Sequence, residues 1–405
     1  MLVIAAPGQG AQTPGFLAPW LELPGVAARI AAWSDLAGCD LVAAGTTGTA
    51  DEIRDTAVAQ PLLVAAALAA AGALAPGGTA PEAREANTVV AGHSVGELAA
   101  GAMAGIVTPD DALALVGVRG RAMAQAAAAT ATSMTAVLGG AEPDVLAAID
   151  ECGLTPANIN GAGQIVAAGT VEQLAAFAAS PPPGARLRPL AVAGAFHTSH
   201  MAQAVAALRE AAARISPRDP AMTVLSNRDG AVMRTGAEWI ERIVTQVSAP
   251  VRWDACMATM RSLGVTAFLE LPPAGTLTGL ARRALPGVEV FAVKTPEDLG
   301  EARELLTAHA DIHPDGLAEI HSDAHAPEWR LLVAPHAGTF RSPEPPGGGP
   351  GQAVATGAAL GRVEMRGGSH KVAADFPATI IEWLVEDGDP VSPGQPLVRL
   401  QPERQ

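Results

Sequence analysis

Apolar residues near the start of the chain occur in short runs that end at glycine-containing turns. Two such runs, at 2–6 and 88–91, are followed by PGQG and GHSVG, and the second turn leads into an Ala-rich segment. A short buried run, a sharp turn and a helical segment are typical of an α/β protein. Thr108, Pro109 and the two acidic residues after them predict the start of another helix, because they satisfy or complement its free amides.

The pattern changes to shorter strands and helices between residues 130 and 193. Apolar runs at 134–138 and 165–168 predict strands, and a helix is expected to begin at Val171. This mixture predicts an α+β subdomain, 130–193, inserted into a large α/β subdomain formed by residues 1–129 and 194–298.

The C-terminal part of the chain has a third pattern. A helix is expected to start near Thr295 and to fade near Asp311, so we assign residues 299–328 to a helix and a linker. From 331 to 400, short β-like runs are separated by Gly and Pro. These runs predict a small all-β domain at 329–405.

The composition fits a soluble protein of several domains. Of 405 residues, 49% are hydrophobic and 17% are charged, enough for more than one core. The longest apolar stretch, 62–75, is shorter than the ~20 residues that span a bilayer, and it predicts a buried helix. A net charge of -15 opposes binding to nucleic acid or anionic membranes. Because no secretory signal is visible at the start, we expect a cytoplasmic protein with no membrane or nucleic-acid partner.

The cysteines and histidines do not indicate a metal site. Cys39, Cys152 and Cys256 are far apart and odd in number, which favours core thiols in a reducing compartment. Four histidines near the expected linker form two pairs with helical spacing, at positions 309, 313, 321 and 325. They lack an accompanying metal-site motif, so we expect no bound metal.

The pentapeptide GHSVG at 92–96 fits the pattern of a nucleophile elbow. Its glycines permit a tight turn that lifts the Ser94 hydroxyl out of the sheet beside free helix amides. In isolation such a pentapeptide is equally consistent with an ordinary turn. The strand expected before it and the helix expected after it favour the elbow.

Three motifs in order resemble the malonyl-CoA:acyl-carrier-protein transacylase family. They are PGQGAQ at 7–12, GHSVGE at 92–97 and GAFH at 194–197. Similarities at 119–123, 158–160, 249–253 and 270–275 extend the resemblance over about residues 1–296. The resemblance implies an α/β-hydrolase-like large domain with an inserted ferredoxin-like α+β subdomain.

The same resemblance implies the catalytic residues. Ser94 is the expected nucleophile and His197 its general base, which a neutral serine hydroxyl needs. His200, three residues onward, is the alternative that the motif disfavours. A main-chain carbonyl, that of Gln246, is expected to orient His197 in place of an acid. The backbone amides of an oxyanion hole are assigned to Gln9 and Val95.

Arg119 is the expected determinant of substrate choice. By resemblance its guanidinium grips the free carboxylate of a malonyl group and excludes acetyl groups. Helical spacing places Arg119 on one face with Ala112, Val116 and Met123, so the side chain is expected to point inward. The alternative is a solvated helix arginine or a buried structural ion pair, and we expect this alternative for Arg121.

Further positions are expected to line or brace the acyl pocket. By resemblance they are Gln60, His93, Asn160 and Phe196. Phe196 is bulky enough to crowd an α-methyl branch, although one methyl discriminates by only about 1–3 kcal/mol. For Gln60 and Asn160, a structural hydrogen bond is an equally good interpretation.

Residues 331–400 resemble a biotinyl/lipoyl carrier domain through APHAGTF at 334–340, GDPV at 388–391 and GQPL at 394–397. Where a carrier has Met-Lys, this chain has Met365 and Arg366. A guanidinium cannot form the amide with biotin or lipoate, and Lys371 is displaced along the strand. The expectation is a degenerate domain without the modifiable lysine, used for docking a partner or for stability.

The resulting functional prediction is an S-malonyltransferase of fatty-acid or polyketide biosynthesis. Malonyl-CoA donates the acyl group to Ser94, and the phosphopantetheine thiol of an acyl-carrier protein removes it. No covalently bound cofactor is expected. Two alternatives are an acyl-carrier thioesterase on the same scaffold and a noncatalytic assembly subunit.

Overall fold

A computed structural model of the protein describes residues 1–74, 87–192, 194–310, 330–334, 336–342, 351–365, 368–374, 376–385, 387–391 and 396–402. The chain divides into two compact units, Met1–His313 and Pro314–Gln405.

The first unit contains all the helices described. In chain order they are α1 (Ala18–Leu21), α2 (Val26–Ala37), α3 (Leu41–Thr46), α4 (Thr56–Leu74), α5 (Gly96–Met103), α6 (Pro109–Ala129), α7 (Glu142–Glu151), α8 (Val171–Ala179), α9 (Ala202–Ala212), α10 (Gly236–Gln246), α11 (Trp253–Ser262), α12 (Thr276–Ala284) and α13 (Leu299–Ala310). Its strands are β1 (Leu2–Ala6), β2 (Thr88–Gly92), β3 (Thr132–Gly139), β4 (Thr155–Gly161), β5 (Gln164–Thr170), β6 (Ala185–Pro189), β7 (Thr223–Val224), β8 (Val251–Arg252), β9 (Ala267–Glu270) and β10 (Glu289–Ala292). The strands expected at 2–6 and 88–91 and the helix expected after Thr108 are confirmed.

Five parallel strands form the central sheet, in the order β10-β9-β1-β2-β7. Strands β1 and β2 are almost entirely buried, as expected for strands covered on both faces. The carboxyl ends of parallel strands lie at one edge of a sheet, where α/β proteins place their sites. The turns after β1, β2 and β7 therefore meet at one edge.

A second sheet in this unit has the order β6-β3-β5-β4-β8. Strands β3 to β6, with α7 and α8 between them, follow the sequence strand, helix, strand, strand, helix, strand. These four strands pair antiparallel, and β8, from outside the 130–193 segment, joins β4 in parallel. The expected strands and the helix starting at Val171 are present.

Residues 62–74 of the apolar stretch belong to helix α4, most of whose residues are buried. Among the described residues, one helix, α4, is long and apolar enough to cross a membrane by length and composition. However, 72% of its apolar window is buried inside the protein. Its dense apolar packing in the core supports the predicted buried helix.

The prediction of core thiols is correct for one cysteine of the three. Cys256 is fully buried, whereas Cys39 and Cys152 are only half-buried, and all three are free. Burial raises the pKa of Cys39 to about 11, so this thiol stays protonated at neutral pH.

The described part of the second unit consists of strands. They are β11 (Arg330–Val333), β12 (Gly338–Arg341), β13 (Ala353–Val354), β14 (Ala359–Met365), β15 (Gly368–Ala373), β16 (Ala378–Trp383), β17 (Pro390–Val391) and β18 (Pro396–Pro402). They form two four-stranded sheets, β11-β18-β16-β13 and β15-β14-β12-β17, around an apolar core of their own. This arrangement agrees with the predicted all-β character.

Candidate active site

Ser94 occupies a sharp turn between β2 and α5. Its φ is 54°, a left-handed conformation that costs a non-glycine residue about 1–3 kcal/mol. The flanking positions require glycine because other backbone atoms lie very close to them. A Cβ on Gly92 would lie 1.9 Å from the carbonyl carbon of Gly96, and one on Gly96 would lie 2.3 Å from the Ala6 oxygen. The expected elbow geometry is therefore present.

His197 lies within hydrogen-bond distance of the Ser94 hydroxyl. Its Nε2 is 2.8 Å from Ser94 Oγ, and its Nδ1 is 3.1 Å from the Gln246 carbonyl oxygen. A carbonyl only accepts, so Nδ1 carries the proton and Nε2 offers its lone pair to the hydroxyl. Burial, reinforced by the positive charge of Arg119, lowers the pKa of His197 to about 3. The imidazole is therefore neutral at physiological pH.

His200 lies away from this pair, on the short 3-10 turn Ser199–Met201. Its backbone amide donates to Thr198 Oγ1 at 3.2 Å. The structure therefore brings His197, and not His200, to the Ser94 hydroxyl.

Arg119 points inward from α6 and is 2% exposed, as its helical spacing predicts. Its Nη1 donates to Gln60 Oε1 at 2.6 Å, and its Nη2 donates to Gln246 Oε1 at 3.0 Å and to Ser94 Oγ at 3.3 Å. Burial lowers its pKa to about 10, so the side chain remains a cation at neutral pH. Arg121 is exposed and donates to the Ala37 carbonyl.

Gln9 lies in the turn after β1, and Val95 follows Ser94 in the turn after the neighbouring strand β2. Neither backbone amide donates a hydrogen bond within the described part of the chain. The Gln9 side chain is turned away and donates to the Arg54 carbonyl at 3.2 Å. Unengaged amides in the turns after two neighbouring strands are suitable donors for an oxyanion.

A cavity of about 260 Å³ lies between this edge of the central sheet and one face of the second sheet. Ser94 and His197 line it, together with Gln60, His93, Asn160 and Phe196. The Arg119 guanidinium contacts two of these lining residues, Gln60 and Ser94. The pocket residues expected from the sequence therefore surround one space.

His93 connects the two sheets across the cavity. Its Nε2 lies 2.9 Å from Asn160 Oδ1, and Asn160 Nδ2 donates to Gln164 Oε1 at 3.2 Å. The edge of the His93 ring packs on Trp253, with centroids 5.6 Å apart. Burial lowers the pKa of His93, so a neutral ring donates to Asn160. These contacts fix the width of the cavity.

Two exposed arginines share the sheet face that lines the cavity. Strand register places Arg188 opposite Ala136, which is opposite Val166. Paired residues share a sheet face, and Ala136 and Val166 line the cavity. Arg186, two residues earlier, shares that face, and both arginines are exposed. They place local positive charge on this face in a chain whose net charge is -15.

Sequence reasoning missed Asn227, whose side chain spans the nucleophile turn. Asn227 Oδ1 accepts from the Ser94 amide at 2.7 Å, and Nδ2 donates to the Gly92 carbonyl at 2.8 Å. Its backbone amide donates to Glu97 Oε1 at 2.8 Å. The available signal was an amide residue just after the apolar run 222–225, at the carboxyl end of a strand.

The described part of the chain contains no group of three or more potential metal ligands. His309 Nδ1 lies 2.9 Å from Thr266 Oγ1, and its Nε2 is 3.6 Å from Glu289. The histidines at 313, 321 and 325 lie outside the described residues.

Comparisons with known proteins agree on one class of enzyme. The acyl transferase domain family matches residues 6–316. The chain is 52% identical over 305 residues to the malonyl CoA-acyl carrier protein transacylase of Mycobacterium tuberculosis (strain ATCC 25618 / H37Rv), covering 75% of this chain and 100% of that protein.

Two solved structures extend this similarity to the fold. The crystal structure of MCAT from Mycobacterium tuberculosis has a TM-score of 0.72 at 52% identity and covers 75% of this chain and 99% of that one. The second is the structure of a type II PKS acyl-carrier protein in complex with its malonyl-transacylase. A chain of this complex matches with a TM-score of 0.68 at 30% identity, over 75% of this chain and 99% of that chain.

The buried Glu97 carboxyl predicts a pH dependence of stability. Burial raises its pKa to about 8, against the opposing influence of the Asn227 amide and of Arg119 and Arg242. The folded protein therefore keeps a proton that the unfolded chain loses near its ordinary pKa of about 4.3. The contribution of Glu97 to the free energy of unfolding should therefore fall as pH rises through this window to about 8, whereas the buried, neutral His197 contributes the opposite slope below its ordinary pKa of about 6.5.

Denaturant titrations between pH 5 and 9 check this expectation. Glu97→Gln should remove the falling component, so that wild type loses stability relative to this variant as pH rises. Glu210→Gln, at an exposed position, should leave the shape of the wild-type curve unchanged. Parallel curves for wild type and Glu97→Gln would contradict it.

Proposed function

Because this chain belongs to the malonyl-CoA:acyl-carrier-protein transacylase family, we propose that its malonyl transfer from coenzyme A to an acyl-carrier protein proceeds through an ester on Ser94. Malonyl-CoA transacylases use malonyl-CoA and carrier-bound phosphopantetheine with no covalently bound cofactor. The observation that carries the proposal is the position of the Ser94 hydroxyl, 2.8 Å from the neutral His197 and 3.3 Å from the cationic Arg119.

In the first half-reaction, Ser94 Oγ attacks the thioester carbonyl as His197 Nε2 takes its proton. Negative charge grows on the carbonyl oxygen, which the amides of Gln9 and Val95 can receive. The C–S bond then breaks, and the imidazolium gives its proton to the coenzyme A sulfur. Because the pKa of His197 is lowered to about 3, the imidazolium holds that proton weakly and returns it readily.

The second half-reaction reverses these roles with a new thiol. His197 removes the proton from the phosphopantetheine thiol, and its sulfur attacks the ester carbonyl. The bond to Ser94 Oγ breaks, and the imidazolium returns the proton to that oxygen. Over the whole cycle, Ser94 and His197 return to their starting protonation states, and the acyl group has moved from coenzyme A to the carrier thiol. Phe196 and His93 line the cavity beside the ester and limit the room for water as the competing nucleophile.

Arg119 provides the selectivity for a carboxylated acyl group. Its hydrogen-bond partners in the described part of the chain are two amide carbonyls and a hydroxyl, all of them neutral. A buried cation with only neutral partners gains most from an anion delivered next to it. The malonyl carboxylate is such an anion, and an acetyl group lacks it.

Phe196 sets the size limit of the acyl pocket. Its side chain lines the cavity and is only 6% exposed. Close packing leaves little room for an α-methyl branch on the acyl group.

We infer finer assignments for the two other parts of the fold. The strand order β6-β3-β5-β4, with its two helices, supports a ferredoxin-like subdomain at 130–193. The two four-stranded sheets of the C-terminal unit support a biotinyl/lipoyl-like fold. Met365 pairs with Gly368 where β14 and β15 adjoin, and Arg366, outside the described residues, follows Met365 in sequence. We propose a docking or stabilising module without a cofactor.

Arg119→Ala should remove the preference for malonyl-CoA over acetyl-CoA by lowering malonyl transfer. We expect kcat/KM with malonyl-CoA to fall by about 100-fold or more, since charge-assisted hydrogen bonds to the carboxylate disappear. Transfer from acetyl-CoA should not fall with it, which also shows that the variant is folded. Initial rates with holo-carrier and each acyl-CoA measure the ratio.

The matched control for this experiment is Arg121→Ala on the outer face of the same helix. It should keep malonyl transfer within about twofold, as expected for an exposed side chain. An Arg119→Ala enzyme that retains its malonyl preference would refute the assignment.

The C-terminal proposal predicts that wild-type protein stays unmodified when coexpressed with biotin and lipoate ligases. Arg366→Lys should gain a biotinyl or lipoyl adduct, because lysine supplies the amine that an amide needs. Intact-mass analysis distinguishes these species. An adduct on wild type would rule out a degenerate carrier, and an unmodified Arg366→Lys would remove the support for the carrier-like hairpin.

A further inference from the structure

Asn227 bridges the two backbone groups on either side of His93 in the nucleophile turn. Its Oδ1 accepts from the Ser94 amide at 2.7 Å, and its Nδ2 donates to the Gly92 carbonyl at 2.8 Å. Gly92 is the last residue of β2 and Ser94 is the nucleophile. One planar amide therefore fixes the spacing across the turn that carries the reacting hydroxyl.

This bridge acts where the backbone is strained. Ser94 has a φ of 54°, which an L-residue keeps only when its surroundings impose it. The bond to the Ser94 amide is formed in this conformation, and the bond to the Gly92 carbonyl anchors the other side of the turn. Loss of both would leave a donor and an acceptor without partners and would free the turn to relax.

Asn227 is itself held from three directions. Its side chain is 0% exposed, its backbone amide donates to Glu97 Oε1 at 2.8 Å, and its carbonyl accepts from the Arg252 amide at 2.7 Å. Cys256 Sγ accepts a long, weak hydrogen bond from Nδ2 at 3.7 Å. Because Glu97 belongs to the first turn of α5, strand β2, helix α5 and the segment after β7 are joined at one residue.

We propose that Asn227 is a positioning residue for the acyl transfer, holding the Ser94 hydroxyl at the distance from His197 that proton transfer needs. The inference rests on the proposed role of Ser94. Asn227 lies behind the turn and is not among the residues that line the cavity. Its effect therefore passes through the Ser94 backbone and reaches the rate of acylation, with no effect on binding of the acyl donor.

The test compares Asn227→Ala, Asn227→Ser and Cys256→Ala with wild type in single-turnover acylation by malonyl-CoA. Alanine removes both bonds, and the short serine side chain can restore at most one of them. We expect the maximal acylation rate to fall about 100-fold in Asn227→Ala and about 10-fold in Asn227→Ser, as a misplaced reacting group predicts. Half-saturation by malonyl-CoA should stay within about threefold.

Cys256→Ala is the control for a purely structural effect. It removes a buried neighbour of Asn227 while leaving both bonds to the turn, so thermal stability should fall and the acylation rate should stay within about twofold. Any of three results would overturn the inference. They are a wild-type acylation rate in Asn227→Ala, a change in half-saturation by malonyl-CoA without a change in the maximal rate, and an equal rate loss in Cys256→Ala. Absence of acyl-Ser94 in the wild type would instead refute the proposed function.

Discussion

The site depends on one buried positive charge placed beside a hydroxyl and a neutral imidazole. Removing a guanidinium from water costs several kcal/mol unless its donors are satisfied, and the amide oxygens of Gln60 and Gln246 satisfy two of them. The same charge contributes to lowering the pKa of His197. One buried charge thereby serves both the proposed selectivity for an anionic acyl group and the protonation state of the proposed base. Gln246 links the two, since its carbonyl orients the histidine and its side chain holds the arginine.

The fold brings these groups together by ending several parallel strands at one edge. The turn after β1 carries Gln9, the turn after β2 carries Ser94, and the segment after β7 carries Asn227. Helix α6 delivers Arg119 from the side, and the second sheet covers the cavity with one of its faces. Positions 92 and 96 require glycine because neighbouring backbone atoms occupy the space that a Cβ would take.

The sequence predicted the parts of this site that lie within short motifs. Ser94 could be identified because strand, turn and helix follow each other locally, and the inward direction of Arg119 followed from helical spacing. The bridge formed by Asn227 could not be predicted, because it joins residues 133 positions apart and no local pattern marks which polar group after a strand will face a turn. The second role of Gln246 was missed for the same reason. Half-burial of Cys39 and Cys152 also depends on tertiary packing that hydrophobicity alone does not specify.

The central claim is that the malonyl group rests on Ser94 between donor and acceptor. The most direct test mixes the protein with malonyl-CoA in the absence of carrier, quenches within the first turnover and maps the acyl group by peptide mass spectrometry. We predict a malonyl ester on Ser94 that disappears when holo-carrier is added, with malonyl-carrier formed in equal amount. Malonyl transfer to the carrier without an acyl group on Ser94 at any time, or with the group on another residue, would contradict the account.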